Sequence, residues 1–371
     1  MQRDFHYYCI GVLAKAAGFS SKDALTIAYA SQYVDDATQG GRIPIKKSPN
    51  DIRIDPVRTA HKGLKVRSIF WSEQKKILIS FHFIPPRFYE PPGWGFEYVT
   101  EPAQLKKTKK SEEFGIKFAD TLLEEALKGK KECECWESMI TDFELFRLCR
   151  IGIALHTYAD TWAHQGFSGR KNEENEVIDI QVKKNNVMKL MKRKFKIKIP
   201  WKAGPRIGHA EAGFYPDYPF LVWEYTKKST GELVPRNNTK EFLKAAETIY
   251  KKLSETQKTP YKKWNEIKKR IEKQLKYVGR DLEDRCENWR NNFYDFFDDL
   301  QFPEKFKYDK TDWWRTAFQV LKGDGHDWDD YYKGVEIRRK MIIKDDYFKS
   351  PFYHFHRAAL LQRDFVLERL P

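Results

Sequence analysis

Apolar residues recur at helical spacing, every third or fourth position, along most of the 371-residue chain. This pattern predicts helices over residues 5–19, 22–38, 111–130, 137–165 and 239–300, with one more in the C-terminal stretch HRAALLQRDFVLERL. Ser20 and Ser21 precede the second of these segments as helix-starting residues. In the fourth, the stretch FELFRLCRIGIALH is apolar at helical spacing and indicates a largely buried helix, which Gly166, Ser168 and Gly169 end.

Two short stretches have the pattern of strands instead. VRSIFW and KILISFHF, joined by SEQK, predict a β-hairpin over residues 66–83. The fold class that we expect is mainly α: a multi-helix bundle with a small β-hairpin and a charged helical C-terminal extension. The predicted domains are a metal-binding helical core over 1–230, which carries a basic insertion at about 170–200, an extension over 231–334, and a C-terminal helix in 335–371 that packs back on the core.

Composition narrows the class of protein. The chain is 41% hydrophobic, yet it has no run of about 18 apolar residues, so a transmembrane helix is not expected. The N-terminal sequence MQRDFHYYCIGVLAKAAGF lacks the layout of a signal peptide, because Asp4 and His6 interrupt it. We therefore expect a cytoplasmic protein. The five cysteines are an odd number at irregular spacing, which argues against a disulfide framework.

The net charge is +15 at pH 7, and the excess is concentrated in three segments, residues 106–110, 183–198 and 262–276. A basic surface of this kind attracts polyanions. For 262–276 a solvated helix face is the favoured interpretation, whereas 183–198 has no acidic residue at all. A nucleic acid or nucleotide is the favoured partner, an anionic phospholipid is the alternative, and the sequence leaves a protein partner unknown.

His156, Asp160 and His164 are four residues apart in the predicted buried helix. Each interval of four advances an α-helix by one turn and about 40°, so the side chains form a slanted row on one face. His164 lies roughly 12 Å from His156 at 1.5 Å per residue and would serve a second ion or the far edge of a cluster. The alternative is a hydrogen-bonded polar core, but an unpaired buried carboxylate is costly. Imidazole and carboxylate together suit zinc, manganese or iron better than calcium.

Three other histidines also lie in apolar or aromatic surroundings, which is what a metal site drawn from several helices needs. They are His6 in FHYY, His82 in SFHFIPP and His209 in GHAEAGFYPDYPF. Candidate carboxylates accompany them: Asp35 or Asp36 at the end of the second helix, and Glu211 or Asp217 after His209. For His354 and His356, aromatic packing is the favoured interpretation. The HD dipeptide at 326–327 lies in a predicted turn, which makes an HD-type phosphohydrolase unfavoured.

The order of these motifs, namely an N-terminal His, ASQYVDD, HFIPP, HTYADTWAH and a late His, resembles the zinc-dependent phospholipase C family and the related single-strand-specific zinc nucleases. The resemblance covers residues 6–217. It implies an all-helical fold in which these side chains hold two or three zinc ions. HYY, ASQYVDD, LHTYADTWAHQGFSG and the C-terminal stretch also resemble a bacterial family of proteins without an assigned function.

The chain departs from the zinc-dependent family at two places. That family uses an N-terminal Trp as a ligand, where this sequence has Met1. Its late His is followed four residues later by an acid, where this chain has Gly213, so Glu211 or Asp217 would have to substitute. These departures leave the number of ions open.

Phosphodiester hydrolysis is the reaction that the resemblance implies, since neighbouring divalent ions activate water and stabilise charge on phosphoryl oxygens. Asp160 is the expected bridging carboxylate, and Asp35 or Asp36 the group that orients the attacking water. The alternative function is a non-catalytic nucleic-acid- or partner-binding protein with a structural metal site. A structural site is closed, whereas a catalytic site keeps an open coordination position.

Overall fold

In the computed structural model the described residues are 1–40, 54–61, 69–87, 95–103, 118–129, 140–182, 206–297, 299, 306–320 and 341–371. Within these ranges the protein is mainly helical and carries small antiparallel sheets. The expected fold class is therefore confirmed. Residues 106–110, all of 183–198, the Cys133–Cys135 pair and the HD dipeptide at 326–327 lie outside the described residues.

The first two predicted helices are present. A π-helical segment, Asp4–Cys9, continues into α1, Ile10–Ala17. The chain then turns at Gly18, whose φ of 117° is a conformation that glycine adopts without strain. Helix α2, Ser21–Asp36, begins at Ser20, and the Ser20 side chain accepts a hydrogen bond from the backbone N–H of Asp23.

The predicted hairpin over residues 66–83 is wrong in position. The structure has a short helix, α3 (Trp71–Glu73), followed by a π-helical segment, Gln74–Ile79, so the stretch predicted as the second strand is helical. Residues 66–68, from the first predicted strand, lie outside the described residues. The run is short and apolar, and such a run does not distinguish a buried helical turn from a strand.

The sheet lies later in the chain. Strands β1 (Val177–Val182), β2 (Val222–Lys227) and β3 (Leu233–Asn237) form an antiparallel sheet in the order β1-β2-β3. Trp223 and Tyr225 on β2 are buried in a small apolar cluster beneath this sheet. The predicted insertion at 170–200 therefore begins with a paired strand.

The central helix of the bundle is α5, Phe143–Ala163. It packs against α2 and against α4, Phe118–Lys128. The contact with α2 is close at Gly152, where a Cβ atom would lie 2.4 Å from the carbonyl oxygen of Ile27. Glycine at this position lets the backbones of α2 and α5 approach each other.

The predicted charged region contains α6 (Asn238–Ser254), α7 (Trp264–Lys276) and α8 (Leu282–Asn292). Helix α6 packs against α1 and α5, and α8 packs against the segment Asp4–Cys9. On α7 the apolar side chains are buried while the lysines face solvent, which agrees with a solvated basic face. The apolar residues of all three helices belong to the same core cluster as α1, α2 and α5.

The C-terminal part contains α9 (Asp312–Ala317), a short antiparallel pair, β4 (Phe318–Val320) with β5 (Met341–Ile343), and α10 (Pro351–Leu367). Helix α10 packs against α5 and α9. The predicted domain boundaries stay a prediction. Among the described residues, no helix combines the length and the apolar character needed to cross a bilayer.

Candidate metal centre

Five separate segments bring histidines and carboxylates together at one end of α5. Helix α5 itself supplies His156 and Asp160, and His164 is the first residue beyond its end. The other contributors come from the N-terminal segment, the last turn of α2, the end of the π-helical segment and the stretch before β2. The residues that form groups with metal-ligand spacing are His6, Asp35, His82, His156, Asp160, His164, His209 and Asp217.

The first group shows why a cation is expected. The ring nitrogens of His82 and His156 each face a backbone carbonyl: His82 Nε2 lies 2.9 Å from the oxygen of Thr59, and His156 Nδ1 lies 2.8 Å from that of Ser31. A carbonyl only accepts, so each of these nitrogens carries a proton, which is the only ring proton in the neutral form that binds a metal ion. The opposite nitrogens, His82 Nδ1 and His156 Nε2, are then both acceptors, and they lie 3.1 Å apart.

Two carboxylates face the same two acceptor nitrogens. Asp160 Oδ2 lies 3.4 Å from His82 Nδ1 and 3.3 Å from His156 Nε2. Asp35 Oδ1 lies 3.9 Å and 3.7 Å from these nitrogens. The ligand atoms of Asp35, His82 and His156 lie within 4.8 Å of one another, and a cation among them would remove the repulsion between their lone pairs.

A second convergence lies around Asp217. His164 Nδ1 faces the carbonyl oxygen of His82 at 2.8 Å, and His209 Nδ1 faces that of Gly213 at 2.7 Å. Their Nε2 atoms are therefore acceptors, and they lie 3.3 Å and 3.5 Å from the two carboxylate oxygens of Asp217. Backbone carbonyls thus fix the ring orientation at both points, as they do for the histidine ligands of metal proteins.

Asp160 lies between the two convergences and has a different set of neighbours at each oxygen. Its Oδ1 is 3.1 Å from His6 Nε2 and 2.6 Å from the α-amino nitrogen of Met1. That nitrogen is also 3.2 Å from Asp217 Oδ1. The His6 ring stacks on that of His156, with centroids 3.9 Å apart. A carboxylate so placed is suited to bridge two ions.

The spacing fits zinc. Ligand atoms about 2.0–2.1 Å from a tetrahedral zinc ion are about 3.3 Å from one another. The contacts of Asp160 with His82 and His156, and those of Asp217 with His164 and His209, lie between 3.3 and 3.5 Å. Nitrogen and oxygen donors of this kind also suit manganese and iron.

Burial and neighbouring charges set the protonation of the cluster. Burial alone would raise the pKa of Asp160, but the neighbouring histidines and the Met1 amine outweigh it and hold that pKa well below its usual range. Burial would raise the pKa of Asp217 too, and the Met1 amine and His209 lower it instead. Burial lowers the pKa of His6 and of His209. Burial would lower the pKa of His82 as well, but Asp160 and Asp35 raise it instead. At neutral pH Asp160 and Asp217 are thus ionised.

The pKa of the Met1 amine and that of Asp35 are both raised, for different reasons. Burial would lower the pKa of the Met1 amine, but Asp160, Asp217 and Asp35 raise it to about 11. Burial raises the pKa of Asp35. One ammonium group therefore lies between two ionised carboxylates, and buried carboxylates without enough positive charge are costly.

Solvent reaches the cluster from two sides. The side chain of Asp35 is 34% exposed and that of His209 is 18% exposed, whereas those of His156 and Asp160 are 0% and 1% exposed. Bound ions at either point would therefore keep a side toward solvent, which a catalytic site needs.

The structure also resolves the alternatives left open by the sequence. Asp36 does not join the cluster, because its Oδ2 accepts hydrogen bonds from Gln32 and from the Tyr308 hydroxyl. Glu211 accepts a hydrogen bond from the backbone N–H of Val177, so Asp217 is the acid at His209.

The sequence interpretation missed the backbone carbonyls of Ser31, Thr59, His82 and Gly213 that orient the rings. A backbone carbonyl belongs to every residue and therefore leaves no mark in a sequence. It also missed Arg236 on β3, whose guanidinium donates to the carbonyl oxygens of Trp162, Ala163 and Gln165 at the end of α5. A buried arginine at this point satisfies the free carbonyls beside His164.

Comparisons with known proteins give a family and no function. Neither the search of curated proteins nor the search of solved structures found a match. The resemblance to the zinc-dependent phospholipases and nucleases therefore stays a prediction. Residues 1–370 match the model described as a family of unknown function, DUF6765, and the chain belongs to that family.

Proposed function

We propose that this protein is a metal-dependent phosphodiester hydrolase whose cluster holds two or three zinc ions. The observation that carries the proposal is the convergence of acceptor atoms: His82 and His156 turn lone pairs toward each other and toward the oxygens of Asp160 and Asp35. A polar core without a cation would instead alternate donors and acceptors.

Asp160 is assigned the bridging role, because its two oxygens face different sets of nitrogens. Asp35 is assigned the orientation of the attacking water, because it is the most exposed carboxylate of the cluster. Bound metal would supply Lewis acidity toward a phosphoryl oxygen and toward water. Backbone carbonyls orient four of the histidine rings, which therefore need no reorganisation during the reaction: His82, His156, His164 and His209.

The substrate class rests on charge. A net charge of +15 favours a polyanionic substrate, and we propose a nucleic acid or nucleotide, with an anionic phospholipid as the second choice. The cytoplasmic location expected from the sequence is part of this proposal.

The test combines metal content with activity. Protein is purified without added metal, analysed for zinc, manganese and iron, and assayed on single-stranded DNA, RNA, a chromogenic phosphodiester and phospholipid vesicles. Asp160→Asn keeps the size of the side chain but removes its charge. We expect it to lose bound metal and at least about 100-fold in activity, as when a group that stabilises transition-state charge is removed.

Asp36→Asn is the matched control, since it lies next to Asp35 but bonds to Tyr308 and Gln32. We expect it to keep its metal and its activity. Full activity in Asp160→Asn would contradict the assigned role. Stoichiometric metal with no hydrolysis of any of the four substrates would favour the structural-site alternative.

A further inference from the structure

Arg285 on α8 is a buried arginine that contacts two segments of the candidate metal centre. Its side chain is 4% exposed, and its Nε donates to Asp4 Oδ2 at 2.7 Å, where Asp4 is 1% exposed. A terminal nitrogen of the same guanidinium donates to the side-chain oxygen of Gln2. Both partners belong to the N-terminal segment that carries His6.

The face of the guanidinium covers the other segment. Its central carbon lies 5.6 Å from the ring centre of Tyr218 and 5.4 Å from that of Phe220, a spacing typical of cation–π contacts. Tyr218 follows Asp217 directly. One side chain therefore joins the segment of His6, near the first convergence, to the segment of Asp217, in the second.

We propose that Arg285 is a positioning residue of the metal centre: it sets the distance between the His6 segment and the Asp217 segment. This inference rests on the proposed function, because it needs a metal centre to act upon. Ligands that come from separate segments must be held before the ion arrives, and loss of a supporting group typically weakens metal binding about 10- to 100-fold.

The planar guanidinium is what the role requires. Its edge forms two hydrogen bonds while its faces meet aromatic rings, whereas a lysine ammonium is a point charge that cannot do both. Phe5 reinforces the arrangement, since its backbone N–H donates to the other oxygen of Asp4 at 3.1 Å. The backbone adjoining His6 is thereby fixed from two directions.

Arg270 on α7 offers a control with the same kinds of partner, although its side chain is 35% exposed and that of Arg285 is 4% exposed. It also pairs with an aspartate, Asp295, and its guanidinium also lies over two aromatic rings, Phe293 and Phe296. None of these three partners neighbours a site residue in sequence. The two arginines thus make the same kinds of contact in different places.

The experiment measures zinc affinity by competition with a chelating dye in the full chain, alongside unfolding in urea. Arg285→Met should weaken the binding of at least one zinc ion by 10-fold or more, and Arg285→Lys should fall between this variant and the wild type. Arg270→Met should bind zinc as the wild type does.

A double variant, Asp4→Leu with Arg285→Met, separates positioning from stability. Replacing both partners of a buried ion pair with apolar residues often restores stability, so this variant should regain stability but not zinc affinity. If Arg285→Met fails to fold, the zinc affinity of the double variant tests the proposal. If the double variant also fails to fold, the zinc affinity of Arg285→Lys tests it.

Wild-type zinc affinity in folded Arg285→Met or in the double variant would overturn the proposal, as would an equal loss in Arg270→Met. In Arg285→Lys alone, wild-type affinity would overturn it as well. A wild-type protein that binds no zinc would instead refute the proposed function, so the two failures are distinct.

Discussion

Two sets of buried histidines in this protein are used in opposite ways. On α10, His354 has both ring nitrogens matched to backbone groups: Nδ1 faces the carbonyl oxygen of Ser350 at 2.9 Å, and Nε2 accepts from the N–H of Asp142 at 3.1 Å. The ring of His354 therefore has one nitrogen that donates and one that accepts, and each has a backbone partner. His356 uses Nδ1 to accept from the N–H of Val57, while its Nε2 is buried without a hydrogen-bond partner among the described residues.

In the candidate metal centre, unlike at His354, His82 and His156 each have only one ring nitrogen matched to a backbone group. The proton-bearing nitrogens of His82 and His156 each donate to a backbone carbonyl. The other two nitrogens face each other and the carboxylates. Both sets are buried and lie near aromatic rings, so burial does not separate them. The difference lies in whether an acceptor meets a donor or another acceptor.

The largest expected effect of this difference is the response to a chelator. Removing metal should lower the free energy of unfolding by about 4 kcal/mol for each ion that is present at about 1,000 times its dissociation constant. The measurement is urea unfolding with and without a chelator. A variant in which both His82 and His156 are alanine should show little of this response, and an identical response in that variant would argue against the centre.

Single substitutions in the two sets of histidines should have different effects. His156→Ala removes a ligand nitrogen and should weaken zinc binding by about 100-fold or more, equivalent to about 2.7 kcal/mol. His354→Ala leaves the N–H of Asp142 without its partner and should lower stability by about 1–3 kcal/mol with zinc binding unchanged. Zinc titration and urea unfolding of both variants check this, and a loss of zinc in His354→Ala would erase the distinction.

The sequence was sufficient for the row on α5, because helical spacing alone places His156 and Asp160 on one face. It could not choose between Asp35 and Asp36, because the side chains of adjacent residues at a helix end point in different directions. The residue that binds Asp36 outside the cluster, Tyr308, lies 272 positions away in sequence. Arg285 was equally hidden, since nothing in an isolated arginine shows that it reaches Asp4.

The misplaced hairpin has a different cause. The alternation of KILISFHF agrees with a strand, and in the structure Ile77, Ile79 and Phe81 are indeed buried. The segment is nevertheless helical, with the side chain of Ser80 donating to the carbonyl oxygen of Lys75. Tertiary contacts decide the conformation of so short a run, and the helical form delivers His82 to the centre.

Lowering the pH should decrease the stability of the protein through protonation of His356 on unfolding. Burial lowers the pKa of His356 to about 3, below its unfolded value of about 6.5. The unfolded chain therefore binds more protons between these pH values, so the contribution of His356 is complete above pH 6.5 and falls as the pH decreases. At pH 5 the loss should be about 2 kcal/mol.

His356→Asn tests this, because an asparagine oxygen can still accept from the N–H of Val57 but does not titrate. Unfolding of the two proteins with chelator present, so that metal ligands do not contribute, should show the wild type losing its advantage between pH 6.5 and pH 5. A constant difference across this range would mean that His356 is not held neutral by burial.

The smallest effect concerns a residue that connects the two regions. Gln362 lies on α10 with His354 and His356, yet its amide donates to the carbonyl oxygen of Ser80 at 3.0 Å and to the hydroxyl of Thr157 at 2.9 Å. These partners lie beside His82 and His156. Gln362→Leu removes both hydrogen bonds at nearly constant volume, at a cost of about 1 kcal/mol each.

If α10 were structural throughout, Gln362→Leu would lower stability and leave zinc affinity unchanged, as His354→Ala should. We expect instead a loss of stability of about 1–2 kcal/mol together with a small decrease in zinc affinity, because Ser80 and Thr157 fix the backbone next to two ligands. Zinc titrations of Gln362→Leu and His354→Ala therefore distinguish residues of α10 that stabilise only the fold from residues that also support the metal centre.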